Sequence, residues 1–437
     1  MAEKEGARKA RHYILGIDLG TTTVKVALLD SENGEVVKLL SRPTKASVAS
    51  EIGVEGREQD PQKILTALQF CVSGLPKEDQ INVKCIGVSG QMHGVVFWKH
   101  GQAWHQNSFG RYETHCSGKI SHLITWEDER CSAEFLGSLP KPDSHLRLSS
   151  GHGCSSIFWL KRNRPGFLKD YDCAGTIQDF VVAMLCGLSR PVMSPQNAAS
   201  WGYFNTETNQ WNKNILEAAD FPVSLLPEVQ KTGNKSGQLE SAWYSLSPLT
   251  PVLVALGDLH SSVECFPYFD GRYVAVAASL TGGNVMAAFI TMLKQWTHEF
   301  GHGVPESKIW ERVLALGKDC HKTDLVITPT LHGERHKPEE RASVHGITAA
   351  NLSLGSVYRA LCKGIVNNLH SMLTTDFLKA HGVQRIIGTG TALTRNEVLK
   401  QEVEASYGLP IVYGNGNDAA VGVAMAARRA SRKEKET

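Results

Sequence analysis

Leu253-Val254-Ala255-Leu256-Gly257-Asp258-Leu259-His260 is the stretch on which the fold turns. Four apolar residues in succession leave no face for solvent, so a strand here is covered on both sides, as in an α/β protein. Gly257 permits a sharp turn and a close approach to the backbone. Asp258 then stands at the carboxyl end of a strand, where open α/β sheets bind ligands. On this stretch alone two roles are open to it: a general base facing a ligand, or the N-cap of a following helix.

The rest of the chain narrows the choice. Its 437 residues fit roughly two to three domains. A hydrophobic content of 42% supports more than one core, and a net charge of +2 gives no reason to expect nucleic acid or an acidic membrane as partner. Ten cysteines occur without a CxxC pair, which predicts reduced, mostly buried thiols and a cytoplasmic protein. Met1 to His12 is polar and does not read as a signal peptide, and no run of about eighteen apolar residues marks a membrane span.

Upstream, Tyr13 to Asp18 and Thr23 to Leu29 read as strands, with Asn33-Gly34 expected to form a type I′ turn into Glu35 to Leu40. The first turn gathers Asp18, Gly20, Thr21, Thr22 and Thr23. Its N–H groups and hydroxyls can cradle a phosphate, and Asp18 can hold Mg²⁺ through water; an ordinary hairpin is the alternative. Asp60-Pro61 starts a helix with Ile64, Leu68, Val72 and Leu75 on one face. Strand Val83 to Val88 runs into Ser89-Gly90-Gln91-Met92-His93-Gly94, where Gln91 and His93 can read hydroxyls or simply finish a turn. Lys99 to Ser121 reads as an excursion. Leu123 to Trp126 reads as a strand, after which Trp126 can stack on a sugar face and Arg130 can bond hydroxyls, or both can be structural. Thr176 to Leu185 is a helix ending at Gly187, Ser194 to Tyr203 a turn-rich segment, and Ser245 to Pro251 a joint between halves.

Downstream, Tyr273 to Leu280 is expected to be a strand, followed by Thr281-Gly282-Gly283-Asn284 and a helix through Trp296. His332-Gly333-Glu334-Arg335-His336 is not HExxH, and a surface loop is the preferred reading over zinc. Val357, Leu361, Ile365, Leu369 and Met372 mark a long amphipathic helix. Strand Val383 to Ile387 leads into Gly388-Thr389-Gly390-Thr391-Ala392, with Thr394 and Glu397 expected as a capping box. Such a glycine loop suits a nucleotide, or close packing of helix on strand.

Gly16 to Thr22, Gly90 to Gly94, Trp126 with Asp128 and Arg130, Gly257-Asp258 and Gly388 to Ala392 stand in the order seen in the FGGY carbohydrate kinases, which the chain resembles over nearly its whole length. The Gln-Met-His-Gly loop resembles the ketose-specific branch. Ser89 to Trp98 and Asn197 to Asn205 resemble members acting on a seven-carbon ketose. The resemblance implies an α/β fold of two actin-like, ribonuclease-H-like domains flanking a cleft. They are expected over residues 1–250 (sugar and phosphate loop) and 251–430 (ATP side), with 431–437 a charged tail. It implies ATP-dependent phosphorylation of a ketose's terminal hydroxyl, with Asp258 as base and sugar contacts from Gln91, Met92, His93, Trp126, Arg130 and Asp258. Phosphate and adenosine contacts would come from Gly20, Thr21, Thr22, Thr23, Gly388, Thr389, Gly390 and Thr391, and Asp18 would position Mg²⁺. The expected partners are the sugar and ATP, with no nucleic acid or membrane, in a monomer or homodimer.

Two departures from the family stand out. Pro195 takes the place of an acid common in the family. In family members a β-hairpin with a Thr/Ser-rich phosphate-gripping turn follows the catalytic aspartate and its helix. Here Cys265 runs directly into Phe266-Pro267-Tyr268-Phe269, so a few tens of residues are missing by this comparison. The expectation is a weakened ATP side and a second domain short of its first hairpin.

Overall fold

The computed structural model describes residues 11–436 apart from 115–118, 259–263, 268–272, 278, 280, 332, 335–338 and 415–418. The helix expected after Asp258, and most of His332 to His336, lie outside the described residues.

The chain divides into two compact units. The first comprises residues 1–259, 266–274 and 419–437, the second 260–265 and 275–418. In the first unit the apolar segments β1 (Tyr13–Leu19), β2 (Thr23–Asp30) and β3 (Val36–Pro43) form an antiparallel meander. β4 (Val83–Gly90) runs parallel to β1 on its other side. Beyond β4 the sheet continues through β6 (Pro251–Leu253) to β5 (Lys235–Gln238). The stretch at 253–256 is not one continuous strand. β6 ends at Leu253, and pairing with β4 resumes at β7 (Leu256–Gly257), opposite Ser89 and Gly90.

Both faces are covered, as the run of apolar residues requires. Val252 and Ala255 join one core with Leu15, Ile17, Val88 and the apolar face of α1 (Pro61–Ser73). Leu253 joins a second core with Ile14, Leu29 and Cys85. Asp60 caps α1, its Oδ1 accepting from Gln62 N at 2.8 Å.

The lid of the second core is a helix from far along the chain, Ala419–Glu436. Ala420, Val421, Ala424 and Ala427 press onto the sheet. Gly16 makes this possible, since a Cβ there would meet the Ala420 carbonyl oxygen and stand 2.7 Å from Ala424 Cβ. Near the helix end, Arg428 Nε donates to Ser31 O at 2.9 Å and Arg432 Nη2 to Glu32 O at 2.7 Å. The division drawn from sequence at 250/251 and 430/431 therefore differs from the packing. Ser245 to Pro251 leads straight into a strand of the first sheet, and residues 431–436 continue a helix instead of forming a separate tail.

Other local expectations change for stated reasons. Asn33-Gly34 is not a two-residue turn: Asp30 Oδ1 accepts from Glu32 N and Asn33 N, and of the Asn33-Gly34 pair only Gly34 (φ 81°) is left-handed. Lys99 to Ser121 contains a small hairpin, Trp104–Gln106 with Tyr112–Thr114. The strand at 123–126 stops at Ile124. Ser194 to Tyr203 holds a helix, because Ser194 Oγ accepts from Asn197 N and Pro195 occupies the first helical position. The helices used below are α2 (Gly153–Asn163), α3 (Ile177–Cys186) and α4 (Pro195–Trp201).

The second unit is mainly helical: α5 (Gly283–Glu299), α6 (Glu306–Asp319), α7 (Leu354–Met372) and α8 (Glu397–Tyr407). Its core joins Val285, Ile290, Val313, Tyr358, Leu361, Ile365 and Val398. The cap of α8 is Asn396, which accepts from Leu399 N at 3.1 Å; Thr394 instead bonds back to Gly390 O. Strand 273–280 is shorter than expected, Tyr273–Val276. The Cys265–Phe266 join lies inside one short strand, Glu264–Pro267. Wholly within this unit, antiparallel Val326–Thr328 pairs with Ser343–His345, and parallel Ile386–Gly388 with Ile411–Tyr413. Ile387 and Val412, opposite each other in the parallel pair, are each 52% exposed, whereas parallel sheets are ordinarily covered on both faces.

Candidate functional site

The ends of β1, β4 and β7 bring the sequence-marked residues of the first unit together. Asp258 follows β7 directly. Its N–H donates to Gly90 O at 2.8 Å, and its Oδ1 accepts from Met92 N at 3.0 Å. The aspartate and the Gln-Met-His loop are thus tied at both backbone and side chain. Gly257 allows the approach, for a Cβ there would lie 2.7 Å from both Met92 Sδ and Asn197 Oδ1. Asp258 opens on a cleft of about 250 Å³, lined also by Ser89, Gln196, Gly257 and Pro267 and by Ala419 and Gly422 of the closing helix. A partly exposed carboxylate at a cleft suits proton acceptance better than burial as a cap.

Asp18, at the end of β1, is buried and accepts from Ser89 Oγ at 3.3 Å. Among the described residues no group of three or more His, Cys, Asp or Glu is placed to hold a metal. Asp18 fits a Mg²⁺ ion that keeps its waters and takes its other ligands from phosphate, the usual mode for this cation. In the Gly20–Thr23 turn Thr22 is exposed, and Thr44 Oγ1 reaches back to the carbonyls of Thr21 and Thr22.

Thr21 links the turn to Trp126 and Gln91. Trp126 Nε1 donates to Thr21 Oγ1 at 2.9 Å, and Thr21 Oγ1 lies 3.5 Å from Gln91 Oε1. Gln91 Nε2 donates to Gln59 Oε1 at 3.0 Å, so Gln91 is held as a strut between neighbours. Arg130 is likewise committed: its guanidinium bonds both oxygens of Asp128 at 2.7 and 2.9 Å and Glu58 Oε1 at 2.9 Å, all largely buried. Burial pushes the Glu58 carboxyl up, but Ser50 and Arg130 outweigh it and hold the group below its ordinary range. Arg130 and Asp128 brace the segment that presents Trp126.

His93 is fully buried, with its Nδ1 2.9 Å from Ser200 O and its ring stacked on His152. α4, read from sequence as turns, serves the site throughout. Gln196 Oε1 accepts from Gly257 N at 3.2 Å, Asn197 stands behind Gly257, Ser200 O faces His93, and Trp201 Nε1 donates to Gly94 O at 3.1 Å. One short helix positions both the aspartate turn and the histidine loop. Ser194 followed by Pro195 was the signal for it. Nothing local marked His152.

In the second unit Gly388 ends the strand Ile386–Gly388, Gly390 is left-handed at φ 92°, and residues 391–394 turn into a helix. A Cβ on Gly283 would stand 3.9 Å from Ala392 Cβ, and one on Gly282 would meet nothing within 4 Å. The start of α5, which has no side-chain cap, therefore adjoins the Gly388 to Ala392 loop. Gly282 and Gly283 were not singled out as site residues from sequence, although the paired glycines at a helix start were visible.

The family model for the N-terminal domain of the FGGY family of carbohydrate kinases matches residues 13–265. A sedoheptulokinase from Homo sapiens is 47% identical over 476 aligned residues, covering 98% of this chain and 100% of the relative. One from Mus musculus is 46% identical over 473, covering 98% and 99%. That second alignment spans 473 positions against the 437 residues here, so at least 36 positions of the comparison face no residue of this chain. Among solved structures, a ligand-bound xylulose kinase from Lactobacillus acidophilus has the same fold, with a TM-score of 0.74 at 19% identity over 97% of this chain and 90% of that one. On these matches the chain belongs to the FGGY family of carbohydrate kinases.

Proposed function

We propose that the chain transfers the γ-phosphoryl group of ATP to the terminal hydroxyl of sedoheptulose, giving sedoheptulose 7-phosphate. The observation that carries this reading is Asp258 on a cleft in direct hydrogen bond with Met92 of the Gln-Met-His loop. The 46–47% identity to sedoheptulokinases supports the choice of ketose. Asp258 accepts the proton of the attacking hydroxyl. Met92 and His93 contact the ketose, with Trp126 closing its face, while Gln91 and Arg130 hold these groups in place. The Gly20–Thr23 turn meets the transferred phosphate, and Gly388 to Thr391 with Gly282 and Gly283 lie along the adenosine. Asp18 would hold Mg²⁺, which supplies charge neutralisation on the phosphates. Phosphoryl transfer asks chiefly for positioning and electrostatic stabilisation, and both are supplied here by side chains fixed through neighbours. Among the described residues no helix is long and apolar enough to cross a membrane.

The aligned positions without counterpart favour a second reading, in which the chain binds sugar but turns it over poorly. We place those positions after Cys265. The short strand pairs and the exposed Ile387 and Val412 of the second unit are what a sheet deprived of neighbours presents. An ADP-coupled assay with sedoheptulose, ATP and Mg²⁺, run beside Asp258→Asn, tests both. Asn retains the acceptor for Met92 N–H and removes the base, so turnover falls about 10²- to 10⁴-fold. Equal turnover by Asp258→Asn sinks the first reading. Absent wild-type turnover from protein folded by circular dichroism, with sedoheptulose still bound, selects the second.

A further inference from the structure

We propose that Glu334 is a positioning residue for the nucleotide, a buried carboxylate that holds the Thr281 to Gly283 segment in the conformation that receives the adenosine. The inference rests on the reading of Gly282 and Gly283 as adenosine contacts. It gives the acid of the His332 to His336 stretch, which is not a zinc motif, a task of its own.

One oxygen of Glu334 gathers donors from two other parts of the second unit. Oε1 accepts from Ser279 Oγ at 2.5 Å, from Thr281 Oγ1 at 2.9 Å and from Asn368 Nδ2 at 2.7 Å. Thr281 N donates to Ser279 Oγ at 2.9 Å, and Asn368 Nδ2 also lies 2.8 and 2.9 Å from the two hydroxyl oxygens. The protons balance. Each hydroxyl has one hydrogen, and both go to the carboxylate, which leaves the hydroxyl oxygens to accept from the Thr281 and Asn368 N–H groups. Glu334 is 1% exposed and Thr281 0%. Bonds to a carboxylate are strong in so buried a place and costly to leave unmade.

Packing far along the chain brings these groups together. Glu334 follows the strand Val326–Thr328, and Asn368 lies in α7. Gly364 lets α7 press onto that strand, since a Cβ there would meet the Ile327 carbonyl oxygen. Asn368 is one helical turn further along the same face. The network ends at the start of α5. Gly282 N donates to Asn284 Oδ1 at 2.8 Å, so the segment is tied before and after its glycines. Between these ties a Cβ on Gly282 would meet no atom of the described residues within 4 Å, and one on Gly283 would stand 3.9 Å from Ala392 Cβ in the Gly388 to Ala392 loop. α5 has no side-chain cap, so the hold on Thr281 sets where its first turn lies. Backbone that offers room to a ligand while its neighbour is locked by a buried acid is a preorganised contact.

The test uses the full chain, with ATP, ADP and sedoheptulose titrated separately by calorimetry, and needs no turnover. Glu334→Ala is expected to raise the Kd for ATP and for ADP alike about tenfold, the worth of one hydrogen bond to a charged group, with the Kd for sedoheptulose unchanged. Glu334→Gln keeps an oxygen for the same three donors and is expected to bind both nucleotides within about threefold of wild type. Loss of nucleotide and sugar affinity together assigns Glu334 a merely structural role and overturns the proposal, as does a loss confined to ATP. Should the alanine variant not fold, Ser279→Ala decides, since it removes the 2.5 Å bond at little cost in volume. A rise of about threefold in Kd for both nucleotides, with sugar binding unchanged, supports the inference, and unchanged nucleotide affinity overturns it. Wild-type protein that binds neither ATP nor ADP overturns the adenosine reading as well. Wild type that binds both, beside Glu334→Ala that binds them equally, overturns this inference alone.

Discussion

Gly257→Ala separates the geometry of the Asp258 turn from the chemistry proposed for it. Gly257 is not in the left-handed region, so alanine meets no backbone penalty there. The cost lies in contacts. The new methyl would stand 2.7 Å from Met92 Sδ and from Asn197 Oδ1, and closer still to Met92 Cγ. Favourable contacts of this kind lie at about 3.5–4.0 Å, so the turn and the Met92 loop must part by about 1 Å. Overpacking of one methyl costs ~1–3 kcal/mol of stability, tolerable for a unit with this core. A displacement of about 1 Å at a reacting group, by contrast, can cost about 100-fold in rate, or ~2.7 kcal/mol of barrier. Asp258 N–H to Gly90 O and Met92 N–H to Asp258 Oδ1 both cross the gap that opens. The expected result is kcat reduced about 100-fold with a melting temperature lower by only a few degrees, read by the coupled assay and by calorimetry. Adding Met92→Ala removes both Met92 atoms that clash. The double variant is therefore expected to recover part of the stability loss, a coupling of the kind neighbouring sites show. A Gly257→Ala enzyme within about threefold of wild-type kcat would refute the view that this contact sets the position of the base.

Three further outcomes follow from other parts of the molecule. Burial pushes the Asp179 carboxyl up to about 7, against hydrogen bonds from Thr176. The folded form thus holds a proton that the unfolded chain releases near pH 4, and stability is lost as pH rises from about 4 to about 7. In Asp179→Asn, which keeps an oxygen for the Thr176 cap, chemical denaturation should show that loss abolished and a stability gain over wild type above pH 7. Ending the chain at Asp418 removes the helix that covers Ile14, Leu29 and Cys85, and the first unit is expected to lose its cooperative melt. A truncated protein with an unchanged calorimetric transition contradicts this. Burial raises the Cys71 thiol to about 11 and the Cys131 thiol to about 12, so neither should react with Ellman's reagent at pH 8 until denaturant is added.

How much of this was legible depended on the range of the signal. The apolar runs at Tyr13 to Leu19 and Leu253 to Leu256, and the Asp60-Pro61 start of α1, are local statements about burial and capping, and they were readable. So was the order of the five motifs. α4 was lost because seven residues give too little periodicity, while Asn197, Ser200 and Gly202 read as turn chemistry, although Ser194-Pro195 announced a helix. The Thr394 cap was misplaced because Asn396 satisfies the same orphan N–H groups two residues later. The pairing of His93 with His152, and of Gln91 with Gln59, joins residues far apart in the chain with no local pattern between them. Gly16 inside a strand did hint at a close neighbour. That the neighbour is Ala420 is a fact of topology alone.

That topology has a consequence for biosynthesis. The face of the first sheet carrying Ile14, Leu29, Cys85 and Leu253 is finished when Leu253 leaves the ribosome, yet its cover is not made until residues 419–436 follow. At 5–20 residues per second the nascent chain carries that naked apolar face for roughly 10–30 s while the whole second unit is translated. The first unit to be synthesised is thus among the last to close. A stalled or prematurely released chain would display a sticky sheet to the translation machinery's quality control, even with every residue of the Asp258 turn already in place.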